Sequence, residues 1–191
     1  AAQRIQTLMQ LAAYPKKRGI ILTTLSALFD YLPPKSQWQD SVISLTTGLN
    51  YSLTELIDQL NYLGYQRVAL TEQPGTFSVR GVILDLFLYT EQDPVRIEFF
   101  DTEIDDIRVF DAISQESLYP IEQLLITPVR EDLYTSAQLT QAADTLDHLL
   151  KQHHATFSEQ IYGALTDLKA QWQSGATPAL TRLFAPMIYQ E

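Results

Sequence analysis

The sequence has 191 residues, which is enough for one or two domains with a buried core. Hydrophobic residues make up 46% and charged residues 19%, as in globular proteins, and a net charge of −10 argues against a broad nucleic-acid-binding surface. The chain has no cysteine, which excludes disulfides and thiolate catalysis, and no apolar run reaches the roughly 18 residues that span a membrane.

The first part of the chain has the pattern of an α/β element. Apolar residues at helical spacing predict an amphipathic helix over residues 2–13. The apolar run at 20–23 predicts a strand buried on both faces, and helical spacing returns over 25–32. A short strand is predicted at 41–46. We therefore expect residues 1–46 to form part of a parallel α/β domain, most of which lies upstream of this chain.

A helix is predicted between Ser52 and Gly64. Ser52 and Glu55 form a capping-box signature, in which each side chain satisfies a free backbone N–H at the helix start. Gly64 is suited to end the helix because glycine readily adopts a left-handed conformation. The apolar stripe of this helix consists of Leu53, Leu56, Ile57, Leu60 and Leu63.

Between Tyr65 and Val129 the apolar residues alternate with a period of two, which predicts strands. The predicted strands cover residues 66–71, 76–80, 82–89, 95–101, 104–110 and 121–127. Short connections between them imply antiparallel neighbours.

After Arg130 the pattern becomes helical again, with two apolar stripes. The first stripe is Leu139, Ala142, Ala143, Leu146 and Leu150, and the second is Phe157, Ile161, Ala164, Leu168 and Trp172. The predicted fold class is therefore α+β: a small antiparallel β-sheet module with a packed helix, flanked by a partial α/β element and C-terminal helices.

Alternation also assigns the two faces of the predicted sheet. The core rows are predicted to be Phe77 and Val79; Val82, Leu84, Leu86 and Leu88; Val95, Ile97 and Phe99; and Ile107 and Val109. The opposite, outward face then carries Arg80, Arg96, Glu98, Phe100, Arg108 and Phe110. Arginine and aromatic side chains are enriched at the centres of protein interfaces, so this face has the makeup of a binding surface. The alternative is purely structural: Arg96 and Glu98 pair with strand neighbours, and a helix covers Phe100.

The usual signatures of catalysis are absent from the sequence. It contains no phosphate-binding P-loop, no dinucleotide-binding glycine motif and no nucleophile elbow. The three histidines have no i, i+4 pair, and the acidic run at 101–112 lacks the turn glycine and final glutamate of a calcium loop. We expect no catalytic residue, metal or cofactor. A carboxylate-pair hydrolase using Glu98 with Asp101 or Asp85 is the remaining enzymatic alternative.

Two stretches carry a family resemblance: GYQRVALTEQPGTFSVRGVILDLF at 64–87 and PVRIEFFDTEIDDIRVFDAISQES at 94–117. They closely resemble the transcription-repair coupling factors and, more distantly, UvrB of nucleotide excision repair. In both families this stretch belongs to a small β-rich module that binds UvrA and is inserted into a helicase-like domain. The resemblance implies a helicase-like α/β element at 1–46, the UvrA-binding module at 47–129, and a helical return into the helicase-like domain at 130–191.

The resemblance also implies the positions that contact UvrA. These are Arg67, Arg80, Arg96, Glu98, Phe99 and Phe100. Strand alternation by itself points Arg80, Arg96, Glu98 and Phe100 outward but places Phe99 in the core. Position 78 departs from the UvrB pattern, since Ser78 stands where UvrB has an arginine. We expect this serine to remove one charged contact with UvrA.

The function implied by the resemblance is that of an adaptor. The chain is expected to bind UvrA and so recruit nucleotide excision repair to a stalled RNA polymerase, without catalysis of its own. The parent would be an ATP-dependent DNA translocase that contacts RNA polymerase and double-stranded DNA through other domains. A UvrB fragment is the alternative within the same resemblance. We expect a monomeric, cytoplasmic fragment with no membrane partner. The sequence opens with AAQRIQ and no methionine, which suggests an excised fragment or a processed product.

Overall fold

The computed structural model describes residues 2–13, 20, 22–25, 31–153 and 156–189. The chain forms two compact units, the first of residues 1–17 and 35–131 and the second of residues 18–34 and 132–191. This division differs from the three segments inferred from the sequence, and the assignment of those segments to a helicase-like parent stays a prediction. Helices and antiparallel strands confirm the α+β class.

The described residues of the first unit form three helices and two sheets. Its helices are α1 (Ala2–Ala13), α2 (Lys35–Asp40) and α3 (Leu53–Leu63), and a two-stranded antiparallel sheet joins β1 (Ile43–Thr46) to β8 (Gln123–Ile126). The second sheet has six strands in chain order: β2 (Gln66–Arg67), β3 (Thr76–Arg80), β4 (Ile83–Phe87), β5 (Val95–Phe100), β6 (Glu103–Phe110) and β7 (Ser117–Pro120). All neighbours in this sheet are antiparallel apart from β2 and β3, which are parallel.

Helix α3 forms where its sequence predicts, with only the Ser52 half of the predicted capping box present. The Ser52 side chain accepts a hydrogen bond from the backbone N–H of Glu55 at 3.4 Å, and Gly64 ends the helix with φ of 95°. A Cβ at this glycine would lie 2.9 Å from the side chain of Arg130, so the helix end needs glycine for space as well as for conformation.

Strand alternation builds the core of the first unit. Leu84, Leu86 and Ile97 are fully buried in the same apolar cluster as the buried leucines of α3. Burying one such side chain stabilises the fold by about 1.5–3 kcal/mol. The predicted core rows are confirmed with one exception. Val82 is 55% exposed because it lies in the turn before β4, where Gly81 adopts a positive φ of 62°.

The second unit is helical. It contains α4 (Ser136–Gln152), α5 (Glu159–Gln173), a 3-10 turn (Ala179–Phe184) and α6 (Ala185–Tyr189). The predicted stripe of α4 is confirmed, since all five of its residues are buried. The predicted second stripe is confirmed at Phe157, Leu168 and Trp172, which pack in the core. It is wrong at Ile161 and Ala164, which are exposed, and Tyr162 and Leu165 pack against the core in their place. Trp172 helps to fix this rotation by donating a hydrogen bond to the Thr181 hydroxyl at 2.9 Å.

The strand predicted at 20–23 is not observed in its described residues. Ile20 and Leu22 are each 92% exposed and lie outside any strand. An apolar run becomes a buried strand only when neighbouring strands accept its backbone hydrogen bonds, and the strands of the described chain pair among themselves. Most of the helix predicted at 25–32 lies outside the described residues. None of the described helices is long and apolar enough to cross a membrane.

Candidate protein-binding site

The register of the six-stranded sheet brings charged residues together on the face opposite the core. Asp85 of β4 lies between Ser78 of β3 and Arg96 of β5, and Arg96 in turn faces Arg108 of β6. Side chains of residues directly opposite each other in an antiparallel sheet come within contact distance. The outward face therefore has an acidic residue among arginines.

Asp85 binds two arginines at once. Arg96 donates from Nε to Oδ1 at 2.7 Å and from Nη2 to Oδ2 at 3.0 Å, while Arg80 donates from Nη2 to Oδ2 at 2.5 Å. The Asp85 side chain is 0% exposed. A carboxylate out of contact with water is tolerated only when it is paired and hydrogen-bonded, and two guanidinium groups satisfy that requirement.

Arg96 is held from several sides. Its guanidinium carbon lies 4.5 Å from the centre of the Phe110 ring, and its Nη2 donates to Gln115 Oε1 at 3.3 Å. Its side chain is 15% exposed. The hydrogen bond to Asp85 raises the pKa of Arg96 above its ordinary value even though burial opposes this, so the group stays charged. Arg96 is thus a fixed cation with little exposed surface.

A loop between β6 and β7 contributes to this arrangement. The Asp111 carboxylate accepts hydrogen bonds from the backbone N–H groups of Ser114 at 2.7 Å and Ile113 at 3.0 Å, which lower the pKa of Asp111. Gln115 adopts a left-handed φ of 64°, and its Nε2 donates to the Ala112 carbonyl at 2.8 Å. The loop thereby holds the Gln115 oxygen against Arg96. Phe110 points to the outward face, as alternation predicts, but it is fully buried there beneath Arg96.

Phe100 is the large apolar residue left uncovered on this face. It is 77% exposed at the end of β5. Val82 is 55% exposed, and its carbonyl accepts a hydrogen bond at 3.0 Å from the N–H of Phe99, the residue before Phe100. Glu98 precedes Phe99 and Phe100 on β5 and forms no hydrogen bond or ion pair within the described part of the chain, although its charge favours the cationic form of Arg96. The purely structural alternative is therefore right about the pairing of Arg96 but wrong about a helix covering Phe100.

The remaining predicted positions occupy different environments. Phe99 is 4% exposed and lies in the core, as alternation predicts, and Arg67 is exposed on the short edge strand β2. Ser78 is 1% exposed, and its hydroxyl accepts a hydrogen bond from Thr71 at 3.0 Å. Ser78 is therefore covered by the segment containing Thr71, and the expectation that it means one charged contact fewer with UvrA stays a prediction.

The enzymatic alternative finds no support in the geometry. Glu98 lies on an open sheet face, Asp101 is exposed in a turn with φ of 58°, and Asp85 is occupied by two arginines. A cavity of about 640 Å³ lies elsewhere in the first unit, with Glu91 and Asp93 as its acidic residues. Among the residues that the structure describes, no group of histidine and carboxylate side chains is arranged to hold a metal ion.

Asp85 is the residue whose role on the outward face sequence analysis missed. The available signal was a single charged residue inside the apolar stretch of β4. A charge at such a position needs a partner, and the short turn between β3 and β4 sets the cross-strand neighbours that can supply one.

Comparison with known proteins points to one family. Residues 43–131 match the UvrB interaction domain. The chain is 33% identical over 177 residues to the transcription-repair-coupling factor of Staphylococcus haemolyticus, covering 91% of this chain and 14% of that protein. It is 32% identical over 146 residues to the factor of the same name from Bacillus subtilis, covering 76% and 12% of the two chains. The chain thus spans 14% or less of the length of these relatives.

Proposed function

We propose that the outward face of the six-stranded sheet binds UvrA. The premise is that residues 43–131 belong to the UvrB interaction domain family and that the chain is a relative of the transcription-repair-coupling factors. The whole stretch then acts as an adaptor in DNA repair. The relatives named above favour a coupling factor over UvrB as the parent protein.

The observation that carries this proposal is the exposure of Phe100. A phenylalanine that is 77% exposed on a rigid strand, beside a row of fixed charges, has the character of an interface anchor. On binding, the ring would enter an apolar pocket of UvrA and the charged surroundings would fix its orientation.

The predicted contact positions divide into two groups by exposure. Phe100, Arg67 and the 48%-exposed side chain of Arg80 offer surface to a partner, and Glu98 offers a carboxylate without a hydrogen-bonding partner in the described chain. Arg96 and Phe99 are nearly buried, so they support the surface from beneath. UvrA would then present a cation to Glu98, an apolar pocket to Phe100, and an acceptor to the free edge of Arg80.

The activity of the parent protein lies outside this chain in our proposal. The parent would displace a stalled RNA polymerase by ATP-driven translocation on double-stranded DNA and would then deliver the excision machinery through UvrA. This stretch contributes recruitment, since its outward face is built from fixed side chains suited to protein contact.

Titration calorimetry of this chain against UvrA tests the proposal. Phe100→Ala should weaken binding by roughly 30-fold or more, since loss of an interface anchor costs at least about 2 kcal/mol. Leu183→Ala is a matched control, because Leu183 is 76% exposed but belongs to the second unit, and it should bind as the parent chain does. Binding that is unaffected by Phe100→Ala would show that another surface is used. Failure of the unsubstituted chain to bind would remove UvrA as the partner.

A further inference from the structure

The position of Asp85 is not explained by stability alone. Its carboxylate is fully buried, and its two cationic partners come from different strands. Replacing a buried ion pair by apolar side chains of similar volume often leaves a protein equally stable or more stable. A buried carboxylate between two arginines is therefore better explained by what it does to the arginines.

We propose that Asp85 is a positioning residue of the UvrA-binding face, which it serves without touching the partner. This inference rests on the proposed function. Asp85 fixes Arg80 and Arg96 in a single arrangement, and so sets which guanidinium groups point to the surface. Because its own side chain is 0% exposed, it has no area with which to contact UvrA directly.

The hold on Arg96 is the strongest part of the arrangement. Both carboxylate oxygens of Asp85 accept from its guanidinium, the Phe110 ring lies beneath it, and Gln115 accepts a further hydrogen bond. These contacts lie at different edges and on one face of the guanidinium plane, so together they define its orientation. A long side chain that is already ordered loses little rotational freedom when a partner binds.

Arg80 completes the arrangement at the surface. It bonds the same Oδ2 atom of Asp85 as Arg96 does, yet its side chain remains 48% exposed. One carboxylate between two guanidinium groups leaves a net charge of +1 and removes the repulsion that would otherwise separate them. The exposed part of Arg80 is thereby presented at a fixed place on the face that carries Phe100.

The test uses Asp85→Asn in the full chain and has two readouts. Without UvrA, NMR should show that the Nε–H of Arg96 is protected in the parent chain and exchanges at least about tenfold faster in the variant, since an amide offers one acceptor and no charge. With UvrA, calorimetry should show affinity weakened by roughly tenfold. Asp147→Asn is the matched control, because Asp147 also bridges two cations but lies in the second unit, and it should change neither readout.

Two results would overturn the inference. Tighter UvrA binding by Asp85→Asn would mean that Asp85 competes with UvrA for the arginines. Unchanged exchange at the Arg96 guanidinium would mean that Asp85 does not order it. If the unsubstituted chain does not bind UvrA but Arg96 exchange behaves as expected, the proposed function is wrong. Asp85 then still orders the two arginines.

A second variant covers the case in which Asp85→Asn fails to fold. Gln115→Ala removes one acceptor from Arg96 at a loop position and leaves Asp85 in place. It should speed exchange of the Arg96 guanidinium and weaken UvrA binding by roughly two- to threefold each, in proportion to one hydrogen bond out of three. No change in either quantity overturns the inference.

Discussion

Two aspartates of this chain each bridge two cations, in contrasting surroundings. Asp85 is 0% exposed and bridges two arginines of neighbouring strands, one of them through both carboxylate oxygens. Asp147 on α4 is 30% exposed and bridges two lysines, Lys151 of the same helix and Lys169 of α5, each at 2.6 Å. The pairs have the same charge count but differ in burial and in the geometry of the cation.

The difference shows what makes an ion pair determine structure. A lysine ammonium is a compact, well-hydrated charge on a flexible chain, and salt and water weaken its exposed pairs. A guanidinium that meets both oxygens of a buried carboxylate is restricted in angle as well as in distance. Asp85 should therefore control local order and stability, whereas Asp147 should mainly control its own titration.

The largest expected effect comes from removing the buried carboxylate. Asp85→Ala should lower the free energy of unfolding of the first unit by about 3 kcal/mol, because it leaves two cations without their anion at a covered site. Amide hydrogen exchange in β4 and β5 measures this change directly, while the amides of α4 report on the second unit in the same sample.

Asp147→Ala supplies the control for that experiment. It should leave exchange in β4 and β5 unchanged and alter exchange in α4 only slightly, since its ion pairs are open to water. Equal losses for the two alanine variants, each in its own unit, would show that burial and arginine geometry do not distinguish the two bridges.

An intermediate effect is expected when the buried bridge is made to resemble the exposed one. Arg96→Lys keeps the charge but cannot reach both oxygens of Asp85 together with Gln115, so stability of the first unit should fall by about 1.5 kcal/mol. Arg182→Lys is the matched control, because Arg182 also meets both oxygens of an aspartate, Asp132, but is 42% exposed. A larger loss for Arg182→Lys than for Arg96→Lys, by denaturant titration of both variants, would contradict the role assigned to burial.

The smallest effect is on the titration of Asp147. Hydrogen bonds from Lys151 and Lys169 lower the pKa of Asp147 to about 2 from an ordinary value of 3.8. Because the folded pKa is the lower one, its contribution to stability is fully present above pH 3.8 and is lost as the pH falls through about 2. NMR titration of the carboxyl carbon should give this value, and Lys151→Gln should raise it further than Lys169→Gln does. A pKa near 3.8 in the parent chain would show that neither lysine holds the carboxylate in solution.

Much of the first unit could be predicted because its signals are local. The cap at Ser52, the glycine at 64 and the leucine stripe between them define α3 within a dozen residues. Alternation likewise assigned the core rows of β4 and β5 and the outward direction of Phe100. Each of these predictions depends on residues close together in sequence and on one structural period.

The features that sequence reasoning missed depend on contacts between distant segments. Asp85 acquires its role from Arg96, which is 11 positions away on the next strand, and Phe110 is buried beneath an arginine from β5. The rotation of α5 depends on Trp172 meeting the turn at Thr181. The strand predicted at 20–23 is not observed at Ile20 for the same reason, because a strand needs a neighbouring strand to accept and donate its backbone hydrogen bonds.

The pairing of β1 with β8 has a further consequence. Ile43 lies opposite Ile126, so the polypeptide enters and leaves the six-stranded sheet and its helix at one place, a few ångströms apart. A segment whose two ends are this close can be inserted into a surface turn of an unrelated carrier protein, because the insertion requires only two neighbouring backbone ends. Residues 127–131 would have to move with the segment, because Val129 donates a backbone hydrogen bond to Leu63 and Arg130 donates to the Tyr62 carbonyl, and a carrier that received residues 43–131 would acquire the outward sheet face without the helical unit.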